Sequence, residues 1–154
     1  MMDKVLTAAA MTLALSASAQ AVSVRDCDGT TDSARNIVEP WEKSTRKFYN
    51  GQVRITHLDT GGEPVCCSSH LMVTYPAPEG EDPTGYGECK LVGSEESMGF
   101  LSIGYPSLKT EYDPKKGLLI SFPYTTYNNE GDNHPSGSAK LRLNLKTGKL
   151  TVEK

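Results

Sequence analysis

The run Cys66-Cys67-Ser68-Ser69-His70 sets two thiols beside two hydroxyls and an imidazole, the residue types of a copper or zinc cluster or of a thiol nucleophile with its base. Adjacent cysteines lack the two-residue gap of a zinc knuckle, and the run does not complete a tetrahedral ligand set. An exported free thiol would also tend to oxidise. A second set, Ser68 or Ser69 with His57 and Asp59, has the types of a serine hydrolase. It has no Gly-x-Ser-x-Gly elbow, and nothing in the spacing brings His57 and Asp59, which share one face of a strand, to a serine. Val53 and Ile55 share that face, so His57 reads as a histidine satisfied at the edge of the core. The run from Asn128 to His134 offers oxygen ligands between two strands but lacks the spacing and the bidentate glutamate of a calcium loop. It reads as a solvated hairpin loop. The expectation is a chain with no catalytic, cofactor-binding or metal residues.

Two further stretches carry acids. Asp26-Cys27-Asp28-Gly29-Thr30 has the Asp-x-Asp-Gly-Thr pattern of haloacid-dehalogenase-type phosphatases, whose first aspartate is the nucleophile and whose second is the acid/base. That chemistry needs the pattern at the carboxyl end of a buried parallel strand, with Mg²⁺ and groups converging from later strands. The sequence around it supplies hairpins, so the stretch reads as a polar segment rich in turn formers. From Ala77 to Gly87 a long Pro/Gly loop carries Glu79, Glu81, Asp82 and Tyr86. Loops of this length are either functional or simply exposed, and this one is the expected partner-contact surface.

The elements that must position these residues follow from export. Val5 to Ala17 is apolar and Ala19-Gln20-Ala21 is a small-x-small cleavage pattern, so residues 1–21 are expected to be a signal peptide and 22–154 a single domain, soluble once cleaved and located in a bacterial periplasm or secreted. No stretch approaches the roughly 20 apolar residues of a spanning helix. Lys and Arg number 16 against 19 Asp and Glu, a net charge of −3 scattered in sign, which excludes the footprint of a nucleic-acid binder. Four cysteines in an oxidising compartment read as disulfides with three possible connectivities. Cys66 and Cys67 are about 3.8 Å apart at Cα, and in a strand they would point to opposite faces. Cys89, on one face with Leu91, is expected to point inward and to bridge Cys27. That pairing is preferred over one in which Cys27 and Cys89 each take one of the doublet.

Asp32 to Val38 is the one helix expected, stopped by Pro40. From Lys43 onward the hydrophobic period is two. Ser44–Tyr49 and Gln52–Leu58 flank Asn50-Gly51, a pattern for a type I′ hairpin. Further strands are expected at Leu71–Tyr75, Glu88–Val92, Phe100–Tyr105, Leu108–Tyr112, Leu118–Tyr124, the alternating run around Leu141, Leu143 and Leu145, and Lys149–Glu153. Eight or nine short strands joined by turns, with no crossover helices, specify an all-β antiparallel sandwich or small barrel.

The stretches Ser33–Glu42, Phe48–Ile55 and Leu58-Asp59-Thr60, together with His70-Leu71-Met72-Val73 and Tyr112-Asp113-Pro114, resemble a family of small exported alphaproteobacterial proteins. The resemblance implies a bacterial envelope compartment and brings no activity, cofactor or catalytic residue with it; the Cys66-Cys67 doublet departs from the pattern. Because no catalytic set has its required context, the sequence favours a non-enzymatic binding or inhibitor-like module whose partner is an envelope or secreted protein or other envelope ligand. The alternative is a small periplasmic hydrolase.

Overall fold

In a computed structural model the described residues are 22–61, 66–94 and 98–154, and they form ten strands in two open antiparallel sheets. The expected leader lies outside them. The first sheet is built from β1 (Ser23–Asp26), β2 (Thr45–Phe48), β3 (Val53–Asp59), β4 (Ser69–Tyr75) and β5 (Glu88–Gly93), in the order β1-β5-β4-β3-β2. In the second, β10 (Lys149–Val152), β9 (Ser136–Asn144) and β8 (Gly117–Thr125) lie side by side. β6 (Ser102–Ile103) and β7 (Lys109–Asp113) share the far edge of β8. Both sheets keep free edges, so of the two expected architectures the sandwich is the one formed. Among the described residues no helix is long and apolar enough to cross a membrane.

Alternation decides which side chains meet between the sheets. Val53, Ile55, Leu71, Val73 and Val92 from the first sheet face Leu118, Ile120, Phe122, Leu141 and Leu143 from the second, all of them buried. Each fully buried aliphatic side chain contributes roughly 1.5–3 kcal/mol of transfer free energy. Leu58 and Leu91 are also fully buried, but they lie at the alternate positions, on the face of the first sheet turned away from the second. Residues 27–44 leave β1 at one edge and reach β2 at the other, so they have to cross this outer face, and they are its cover. The buried Asn36 braces that crossing by donating to the carbonyls of Thr30 and Thr31 at 2.9 and 3.0 Å.

The disulfide Cys27–Cys89 ties the same crossing to the sheet. The preferred pairing is therefore present, but its direction differs from expectation: Cys89 and Leu91 share the outer face, not the one between the sheets. Cys66 and Cys67 are bonded to each other. The doublet lies ahead of β4, not within a strand, and Cys67 adopts φ 69, which brings together side chains that a strand would have separated.

Other departures have local causes. The helix expected over 32–38 is a single 3-10 turn at Ala34–Asn36, because Ile37 bridges Leu58 and the Val38 amide donates to the His57 carbonyl, extending the sheet edge instead. So short a segment gains little from helix propagation. One α-helical turn, α1 (Trp41–Ser44), follows. The hairpin connection is four residues, Tyr49–Gln52, with positive φ at Tyr49, Asn50 and Gly51 (50°, 56° and 83°), so the reversal is centred on the Asn-Gly pair as expected, but the ladder stops one pair short of a two-residue type I′ connection. The expected strand Phe100–Tyr105 breaks after Ile103. Gly104 passes so close to Pro123 that a Cβ would lie 2.6 Å from its Cγ, and Tyr105–Ser107 form a 3-10 turn. β1, whose last residue Asp26 opens the stretch expected to be a polar segment, is the additional strand.

Candidate functional site

The connections at one end of the sandwich build a groove of about 500 Å³. Its floor is the outer face of the first sheet at Arg54 and Thr74, with Gln52 of the β2–β3 connection beside them, and its wall is the loop between β4 and β5, including Glu79, Asp82 and Tyr86. Asp82 organises the loop. Its carboxylate accepts from the amides of Thr84 and Gly85, both at 2.9 Å, and from the Thr84 hydroxyl and the Gly87 amide. These donors hold the acid below the usual carboxylate range, with the Thr84 hydroxyl the largest contributor. The chain turns back onto the sheet at Gly87, at φ 76, where a Cβ would sit 2.5 Å from the Tyr75 carbonyl oxygen. Only glycine meets both conditions without displacement. The loop also leans on the far sheet: Pro78 packs on Gly148, and the Tyr75 hydroxyl donates to the Gly148 carbonyl at 2.9 Å.

Of the four residues expected to meet a partner, Glu79, Glu81 and Tyr86 project into solvent, with Tyr86 92% exposed. Asp82 is half-buried and serves the loop's own backbone. Trp41 and Tyr127 are exposed elsewhere, the latter stacked on His134 with centroids 5.2 Å apart.

At the opposite end the structure brings together two residues that the sequence did not connect. Asp59 and Ser69 are register partners, which sets the His57 side chain diagonally beside the serine, and His57 Nε2 and Ser69 Oγ share a 2.8 Å hydrogen bond. The Tyr105 ring stacks on the imidazole at 5.4 Å and its hydroxyl donates to the Ile55 carbonyl at 2.7 Å; burial pushes that phenol up to about 12. Burial likewise lowers the His57 pKa, partly offset by Asp59. The third member of a triad is missing from this geometry. Asp59 is held low chiefly by the Ser68 hydroxyl and then by the Gly61 amide at 2.9 Å, so its carboxylate is turned to its own loop. Ser69 is only 6% exposed, and its amide and carbonyl are both bonded to Phe100. His57 is thus a satisfied histidine at the core edge, as expected, that also contacts a serine.

The remaining motifs dissolve into local structure. Asp26 pairs with Lys90, and Asp28 pairs with Arg25 at 2.6 Å while accepting from the amides of Thr30 and Thr31 at 2.7 Å. The phosphatase-like pattern therefore spans the end of an antiparallel edge strand, with its central cysteine in a disulfide. In the Asn128–His134 loop the Asn128 side chain accepts from the Glu130 amide, and His134 Nδ1 accepts from the Asn128 amide at 3.2 Å, so these groups turn inward to their own backbone. Among the described residues the one cluster with metal-ligating types, Cys27, Asp32 and Cys89, contains the disulfide. Comparison with protein-family models, with curated proteins and with solved structures finds no match to this chain.

Proposed function

We propose that the protein is an exported, non-enzymatic binding module of the bacterial envelope that engages its ligand in the groove between the β4–β5 loop and the outer face of the first sheet. The observation that carries this reading is the preorganised groove, whose loop spends a carboxylate and a close-packed glycine on its own shape while presenting Glu79, Glu81 and Tyr86 outward. Binding residues set on a loop fixed by a rigid scaffold are a common functional arrangement. The two disulfides fit an oxidising compartment. Immobilised protein is expected to retain specific material from envelope extract and to lose it in Tyr86→Ala. Background retention alone, together with turnover in a hydrolase panel, overturns the reading.

A hydrolase is the second reading, and the 2.8 Å contact between Ser69 and His57 is what favours it. The low exposure of Ser69 and the engagement of Asp59 elsewhere count against it. Covalent labelling of Ser69 by a fluorophosphonate would reverse that order.

A further inference from the structure

Lys47 on β2 and Arg54 on β3 are register partners on the outer face of the first sheet, and both are exposed. Among the described residues neither takes part in an ion pair; the pairs formed involve Arg25, Lys90 and Arg142. Like charges set directly opposite on neighbouring strands disfavour the sheet. A cation on an edge strand has a ready explanation, since it discourages pairing with another chain. That explanation covers Lys47. It does not cover Arg54, which sits on the interior strand β3 and forms the floor of the groove.

What else lines the groove narrows the ligand. Its residues include Gln52, Thr74 and Glu79 as hydrogen-bonding groups, Asp82, whose carboxylate is taken up by its own loop, and Tyr86 as an exposed ring; its apolar part is Pro76, Ala77 and Pro78, with no Leu, Ile, Val, Met or Phe. A groove without large aliphatic residues offers little to the apolar anchors that dominate peptide recognition. Hydroxyl-rich ligands suit it better: amide, hydroxyl and carboxylate groups pair with sugar hydroxyls, and a tyrosine ring presents a flat apolar surface with a polar tip to a pyranose face. A ligand carboxylate would place negative charge between the two cations, with the Arg54 guanidinium able to take it in bidentate fashion.

We infer that this groove binds an acidic saccharide through Arg54 on its floor, with Lys47, which lies outside the lining as the register partner of Arg54, as a second cation at its margin and Tyr86 as its stacking surface. The inference rests on the reading of the groove as the ligand site. Calorimetric titration of the purified protein with an oligogalacturonate, a neutral maltooligosaccharide of equal length and inorganic phosphate tests it. The acidic oligomer is expected to bind, weakening about tenfold or more in Arg54→Gln and in Lys47→Gln, as loss of a charge-assisted hydrogen bond implies. Binding should also weaken with salt. Both variants are expected to melt at or above the wild-type temperature because opposed charges are relieved, which separates a lost contact from a lost fold. Absence of binding, equal binding of the neutral oligomer, equal competition by phosphate, or wild-type affinity in both variants overturns the inference. Failure here, with envelope material still retained by the protein and lost in Tyr86→Ala, removes the acidic saccharide and leaves the groove reading standing; loss of both removes both.

Discussion

Replacing Cys27 and Cys89 by serine together opens a covalent loop with a sequence separation of 62. On the chain-entropy account, closing a loop of that length contributes about 4 kcal/mol by restricting the unfolded chain. The native contacts of residues 27–44 should largely survive the change, because Asn36, the Ile37–Leu58 bridge and the buried Leu58 and Leu91 do not depend on the sulfurs. The expected loss is therefore about 3–4 kcal/mol, seen as a lower denaturant midpoint. With a melting shift of roughly 3–4 °C per kcal/mol for a domain of this size, it should also lower Tm by about 10–15 °C. Urea titration followed by tyrosine fluorescence gives the midpoint and slope, and backbone amide exchange reports where protection falls. If the reasoning holds, protection falls across the chain as a unit. A loss below about 1 kcal/mol, with fast exchange confined to residues 22–44, would refute it: the bridge would then act as a local clasp on the crossing segment.

Three further outcomes follow from particular contacts. His57 has a folded pKa below its ordinary 6.5 because of burial, so between the two values the unfolded chain binds more protons. Stability should be complete above about pH 6.5 and fall as the pH drops through the window below it, and His57→Gln should remove that part of the slope; an unchanged slope in the variant contradicts the burial argument. Gly87→Ala places a methyl group 2.5 Å from the Tyr75 carbonyl at positive φ. It should cost at least about 1–2 kcal/mol and abolish retention of envelope ligand while near-ultraviolet circular dichroism stays native; full retention would show that the loop's shape is irrelevant. Tyr105→Phe leaves the buried Ile55 carbonyl without its hydroxyl donor and should cost about 1–2 kcal/mol in urea melts, whereas a neutral result would mean another donor replaces it.

The strands that form the middle of each sheet were legible because their alternation is long and unbroken. Val53, Ile55, Leu71 and Val73, and later Leu141 and Leu143, each recur at period two and face the core. β1 was not, since a four-residue edge strand held largely by its backbone partners in β5 carries little pattern of its own. The direction of Cys89 was misread because the sheet is buried on both faces over part of its area, and alternation cannot say which buried face is which. The contact between His57 and Ser69 depends on the β3–β4 register, which is fixed across a connection containing the cysteine doublet and is invisible in the spacing. Pro76 to Gly87 was readable as an exposed loop, but the groove also needs Gln52 and Arg54 from the β2–β3 hairpin, distant in sequence. One signal was available: once Phe48 and Val53 close the hairpin, Lys47 and Arg54 must stand opposite each other.

The central claim is that ligand is bound in the groove beside the β4–β5 loop. Amide chemical-shift mapping of the isotopically labelled protein against the fraction it retains from envelope extract tests this most directly. The account predicts perturbations concentrated at Gln52, Arg54, Thr74, Glu79 and Tyr86, with the far end of the sandwich silent. Perturbations centred instead on His57, Asp59 and Ser69 would contradict it and place function at the opposite end of the molecule.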